Sequence, residues 1–259
     1  MTAPAGFAVI PIAVLPLFTP GMSVAAEIAA AATRAGEALG NGDVVVVAQK
    51  IVSKAEGRMR SLAEVVPRPE ALRIAAETGR PAELVELILA ESTELLRAHP
   101  AAIIARHRSG HVLANAGIDA SNVEGGETGS VLLWPADPDA SARAIRRDLE
   151  RIAGSHPAVI IADSMGRAWR VGTLGTAIGI AGIAAIDDRR GEADLFGRVL
   201  QATIVALADS LAAIATLAMG EGAEGTPAAI VHGAGRWVRR EDGDGAAAGL
   251  RPVDQDMFR

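Results

Sequence analysis

Residues 44–47 are four consecutive valines, set between the turn residues Asn41-Gly42-Asp43 and the polar Gln49. A short β-branched run bounded in this way is a buried strand. Two more apolar runs, at 159–162 and 228–232, read the same way, and a strand running into a Pro-bounded loop is expected over 9–17. Helical stretches fall between them without a regular period. Ser23 is placed to cap a helix through about residue 39. The periodicity of 70–97 is helical with a break at Gly79-Arg80-Pro81, 137–151 carries Pro138 in its first turn, and a helix is expected over about 196–219. Short strands over 103–106 and 112–114 suggest a hairpin about Ser109-Gly110, and 131–133 is another strand. In 175–186 small and apolar residues alternate, as in a strand that another backbone approaches closely. Irregular alternation with hairpins mixed in favours a mixed α+β fold over a doubly wound parallel sheet. One domain over residues 1–240 is expected, with two intertwined subdomains as an alternative, followed by a low-complexity, mobile tail over 241–259.

Composition removes several functions. No Cys excludes disulfides, Cys-ligated zinc, iron–sulfur clusters and a thiol nucleophile. A net charge of −6 and 3% aromatic residues, with no Tyr, argue against nucleic-acid binding. The core must then be Ala, Val, Leu and Ile. The apolar stretch 7–18 is interrupted by Pro11 and Pro16 and lacks a basic segment before it. The stretch 202–220 carries Asp209 and Ser210. Neither reads as a signal or a membrane span, so a cytoplasmic protein is expected.

Lys50 and Lys54 are the only lysines among 25 Lys+Arg residues. An arginine-rich lineage bias explains the arginines, but not two lysines within five residues. A compact ammonium suits phosphate where the wider guanidinium does not fit. Four polar clusters follow buried elements directly: 49–54, 115–122, 163–170 and 221–224. They hold Asp119, Asp163, Glu221 and Glu224 as hard oxygen donors, and Asn122 and Ser164 as neutral ones, an inventory that suits Mg²⁺ or Mn²⁺. Carboxylates beside lysines point to a metal–nucleotide phosphate site, although no Walker A pattern is present. Any one of these acidic residues taken singly is more often a turn or cap residue than a ligand, and Asp187-Asp188-Arg189-Arg190 is a solvated charged turn. The histidines lack the spacing of a helical zinc motif.

A family resemblance then enters through GDVVVVAQKIVSKAEGR (42–58), RHRSGHVLANAGIDASN (106–122), DPDASARAIR (137–146), IIADSMGRAWRVG (160–172), AIGIAGI (177–183), DRRGEADLFGR (188–198) and MGEGAEGTPAAIVHG (219–233). In this order they resemble the coenzyme F420:L-glutamate ligases, over about residues 14–233. The resemblance implies a homodimer of α+β subunits that extends the deazaflavin F420-0 with L-glutamate at the expense of GTP, first through an amide and then through γ-links. It also implies a need for Mn²⁺ or Mg²⁺. Carried over, it places nucleotide contacts at Leu15, Pro16, Leu17, Phe18, Gln49, Lys50, Lys54 and Asn122. A loop over 219–226, with Met219, Gly220, Gly222 and Glu224, would close over the nucleotide. One metal would be held by Asp119 and Asp163, the second by Ser164 and Glu221. Against the family pattern, Ser164 replaces a common Thr, Glu221 a frequent Gln and Met165 a usual Phe. Thr173-Leu174-Gly175 stands where many members have Gln-Val-Asp, which bears on the acceptor. Alternatives are a ligase for another acid, a non-catalytic nucleotide- or deazaflavin-binding protein, and a metal-dependent phosphohydrolase.

Overall fold

The computed structural model describes residues 6–123, 125–126 and 129–256. Its centre is a five-stranded mixed sheet in the order β1 (Ala8–Pro11), β12 (Ala228–His232), β2 (Val44–Ala48), β8 (Ala158–Gly166), β9 (Thr173–Ala181). Only β2 and β8 run parallel; the other three pairings are antiparallel. The four valines of β2 are fully buried because both faces of the sheet are covered. Val45 and Val47 meet α1 (Val24–Arg34) and α5 (Pro138–Ala153) through Ile28, Ile145 and Leu149. Val44 and Val46 meet α6 (Leu207–Met219) through Leu207, Leu211 and Ala215. Period-two alternation on a central strand thus feeds two separate cores.

A third core gathers α3 (Pro69–Thr78), α4 (Ala82–Glu91) and the sheet β4 (Ser92–Ala98), β5 (Ile103–His107), β6 (Val112–Ala114) around Ile74, Val85, Ile88 and Ile103. Two small ribbons complete the fold: β3 (Met59–Ser61) with β7 (Ser130–Leu132), and β10 (Asp187–Asp188) with β11 (Ile204–Val205). The chain is α+β, as its irregular alternation implied. Among the described residues no helix is long and apolar enough to cross a membrane.

Local expectations meet mixed outcomes. Ser23 caps α1, its side chain accepting from Ala26 N, and Asp137 caps α5 by accepting from Ala140 N. The helix α1 stops at Arg34, short of residue 39. The opening strand is shorter than expected. After β1, Val14 adopts φ 61°, a left-handed conformation unusual for a β-branched residue, and the chain turns away from the sheet. Residues 92–97 were expected to be helical but form β4, paired with β5. The helix expected from 196 begins only at Leu207, because Ile204–Val205 pairs with Asp187–Asp188. The tail expected to be mobile from 241 is anchored at its start: Arg146 Nη1 holds Asp242 at 2.7 Å, and Ala246 N donates to Asp139 Oδ1 at 3.0 Å. The close backbone approach expected in β9 is present, since a Cβ on Gly179 would lie 2.3 Å from the carbonyl oxygen of Pro138.

Candidate active site

β2 runs directly into a short helix, α2 (Gln49–Ala55). Lys50 and Lys54 are one helical turn apart, so they share a face. Both reach the polar loop that follows β6. Lys50 Nζ lies 2.8 Å from Asp119 Oδ2 and 2.9 Å from Ser121 Oγ, and Lys54 Nζ donates to the Asn122 carbonyl at 2.7 Å. Asp119 also accepts from the backbone N–H and the hydroxyl of Ser121. Asn122 has φ 53°, a conformation Asn tolerates better than most residues, and its Nδ2 donates to the Gly222 carbonyl at 3.3 Å.

On the other side of α2, Gln49 is buried. Its Nε2 donates to Ser53 Oγ at 2.6 Å and to the Leu133 carbonyl at 3.4 Å. The end of β8 forms the floor. Asp163 lies opposite Thr176 and Ser164 opposite Gly175 in the antiparallel pairing with β9. Ser164 Oγ donates to Glu221 Oε1 at 2.5 Å, joining the floor to the loop after α6. Within that loop Gly222 N donates to Glu224 Oε2, and Thr226 Oγ1 donates back to the Met219 carbonyl.

These elements enclose a cleft of about 430 Å³. Leu15, Pro16, Leu17 and Phe18 line one wall, Gln49, Lys50, Lys54 and Asn122 another, and Met219, Gly220, Glu221, Gly222 and Glu224 a third, with Asp163 and Ser164 on the floor. Asp119 is not on that lining and joins the cleft through its ion pair with Lys50. Every candidate residue is therefore brought to one place, from segments as far apart as residues 15 and 224. Sequence reasoning missed Ser121, which bonds both Lys50 and Asp119, and Trp134, whose Nε1 donates to Asp163 Oδ2 at 2.7 Å. The Asp-x-Ser spacing at 119–121 was a readable turn signal for the first; nothing local marked the second.

The two carboxylates sit in contrasting fields. Burial pushes the Asp119 carboxyl upward, but the bonds from Lys50 and Ser121 outweigh it and hold it below its usual range. Burial dominates at Asp163 and raises it to about 6, against the bonds from Trp134 and Ser164 and the charge of Lys50. Among the described residues only neutral donors bond Asp163: Trp134 Nε1–H and its neighbour's backbone N–H at 2.9 Å. Among the same residues no three His, Asp or Glu side chains converge as a ready-made metal cage. Asp163, Ser164 and Glu221 line the cleft instead, and Asp119 reaches it through Lys50.

The profile of the family described as F420-0:Gamma-glutamyl ligase matches residues 13–233. The chain belongs to that family. Several curated relatives carry the name coenzyme F420:L-glutamate ligase. The protein of that name from Methanothermobacter thermautotrophicus is 47% identical over 254 residues, covering 98% of this chain and 99% of the relative. Those from Methanopyrus kandleri and Archaeoglobus fulgidus are 46% and 48% identical, over 85% and 74% of this chain and 87% and 76% of the relatives. In this F420-0:γ-glutamyl ligase family member, the matched span contains every element of the cleft.

Proposed function

We propose that the protein is a GTP-dependent ligase that joins L-glutamate to the deazaflavin F420-0, first through an amide and then through γ-glutamyl links. One observation carries the proposal: a single cleft unites the only two lysines with Asp163, a half-buried carboxylate that, among the described residues, only neutral donors bond. Family membership and the relatives' shared name supply the acceptor and the amino acid.

A carboxylate and an amine do not condense in water, because the carboxylate is a poor electrophile. In the proposed sequence a carboxylate oxygen of the acceptor attacks the γ-phosphorus of GTP. The bond to the β-phosphate oxygen breaks, and GDP leaves. The glutamate amine then attacks the acyl phosphate carbon, inorganic phosphate departs and the amine sheds a proton. Such transfer depends on positioning and charge neutralisation more than on covalent help. Lys54 and Lys50 supply compact positive charge to the phosphate oxygens. Leu15 to Phe18 and the 219–226 loop form the walls that orient the nucleotide and exclude water.

Asp119, Asp163, Ser164 and Glu221 would hold Mn²⁺ or Mg²⁺, and their donor chemistry fits these ions. When bound, the cations would neutralise phosphate charge during transfer. Lys50 is the counter-cation of Asp119, and Glu221 accepts from Ser164. The test is nucleotide turnover: sustained GDP release should require F420-0 and glutamate together. Steady release without an acceptor would favour a phosphohydrolase instead.

We propose further that the working form is a homodimer in the cytoplasm, built on one domain whose core reaches at least to Ala246.

A further inference from the structure

Trp134 is the largest side chain that the fold buries completely. It follows β7 and lies beneath the cleft, in a packing that fixes its ring from several sides. The rings of His107 and His111, at the two ends of the β5–β6 turn, lie 4.8 and 5.6 Å from it. Gly117, at φ 74°, leaves the space the indole fills: a Cβ there would come within 2.3 Å of Trp134 Nε1. Arg58 Nε donates to the Trp134 carbonyl at 2.7 Å, and Arg58 is itself held by Glu91 at 2.9 Å. An apolar ring would pack here without an N–H. The one polar atom of this indole is instead spent on Asp163 Oδ2, at 2.7 Å.

We infer that Trp134 is a positioning residue for the Asp163 carboxylate, setting the orientation in which that group meets a divalent cation in the cleft. The inference rests on the metal reading of the proposed function. Asp163 Oδ1 accepts from the neighbouring Ser164 backbone and Oδ2 from the indole, so the carboxylate plane is held from both ends. The second hold comes from the segment after β7, 29 residues before Asp163 in the sequence. Partners that orient a ligating carboxylate are part of a metal site, and their loss typically weakens metal binding about 10–100-fold.

With three tryptophans in the chain, a ¹⁵N spectrum shows three indole N–H signals, assigned by comparison with Trp134→Phe. In the wild-type protein with GDP, Mn²⁺ should broaden the Trp134 signal selectively. In Trp134→Phe, Mn²⁺ affinity measured by electron paramagnetic resonance of the free ion should fall at least about tenfold. The control Trp237→Phe removes a comparable indole–carboxylate bond, to Asp187 at 3.2 Å, away from the cleft, and should bind Mn²⁺ as the wild type does. Should Trp134→Phe fail to fold, Gly117→Ala moves the indole off Asp163 with the tryptophan retained, and should show the same loss. Absence of selective broadening overturns the metal reading itself. Selective broadening combined with unchanged Mn²⁺ affinity in the folded variants overturns the positioning role alone, leaving Trp134 a packing residue whose loss lowers only the melting temperature.

Discussion

Lys50 Nζ and Asp119 Oδ2 are 2.8 Å apart, so a cation proposed for phosphate and a carboxylate proposed for metal neutralise each other at the edge of the cleft. On the proposed reading, substrate binding exchanges this pair for two better ones, lysine with phosphate and carboxylate with metal. Both ends are partly solvated, so the pair itself adds little to stability. Lys50→Met is therefore expected to leave the melting temperature nearly unchanged while raising the KM for GTP about tenfold, the scale of one charge-assisted hydrogen bond. Thermal melts and initial-rate kinetics check this.

Lys54 is the sharper case. Its Nζ donates to the Asn122 carbonyl, on a loop that also reaches Gly222 across the cleft. Lys54→Arg conserves charge but brings a wider, planar group. Its kcat/KM for GTP should fall by about tenfold or more, again the energy of one charged hydrogen bond. Kinetics equal to the wild type would make the lysine pair an accident of composition.

The raised Asp163 carboxyl gives a pH dependence with a definite sign. With its pKa near 6, the group is increasingly protonated below that value, and a protonated carboxyl does not bind a cation. The Mn²⁺ concentration giving half-maximal rate should therefore rise as pH falls through 6, and excess Mn²⁺ should shift the acid limb downward. Asp163→Asn should abolish metal-dependent turnover with the fold intact. An acid limb indifferent to Mn²⁺ would place the cation elsewhere.

Beneath the site, His111 and Glu91 set the acid stability. Burial lowers His111 from 6.5 to about 4, helped by the charge of His107 and opposed by a bond with the Ala177 backbone. Burial pushes Glu91 up, yet bonds from His107 and Arg108 and the charge of Arg58 bring it from 4.5 to about 2. In each case the unfolded chain takes up the proton first. The His111 contribution is present above 6.5 and lost as pH falls to 4; that of Glu91 is present above 4.5 and lost towards 2. Calorimetric melting temperatures should fall through both windows, and His111→Leu should flatten the upper one.

Gly175, opposite Ser164, tests the packing of α6 against β9. A Cβ there would lie 2.2 Å from Thr216 Oγ1 and 2.7 Å from the Ala212 carbonyl oxygen. Gly175→Ala should destabilise by about 1–3 kcal/mol, as overpacking does. Denaturant titration should show part of that loss recovered when Thr216→Ala is added.

The chain states its buried elements openly and its long-range ones poorly. Val44–Ala48 and Ala228–His232 are legible because their β-branched and small apolar runs are buried on both faces. Asp137 with Pro138 announces α5. Ser92–Ala98 reads as helix because Glu94, Leu95, Leu96 and Arg97 are good helix formers, and only pairing with β5 overrides that preference. Ile204–Val205 is β-branched and pairs with a partner sixteen or more residues earlier, which a helix expected from 196 onward does not anticipate. At the cleft, Lys50 and Lys54 stand out by rarity, and the acidic residues by following buried strands and helices. Trp134 carries no such mark: its role depends on Asp163 arriving from 29 residues away, a proximity that only the folded sheet creates.

The most direct test of the central claim is the mass of the deazaflavin after incubation of the purified protein with F420-0, GTP, Mn²⁺ and L-glutamate. The account predicts an increase by one or more glutamyl units, dependent on every component and lost in Asp163→Asn. An unchanged F420-0 mass, with GTP bound or hydrolysed all the same, would contradict it.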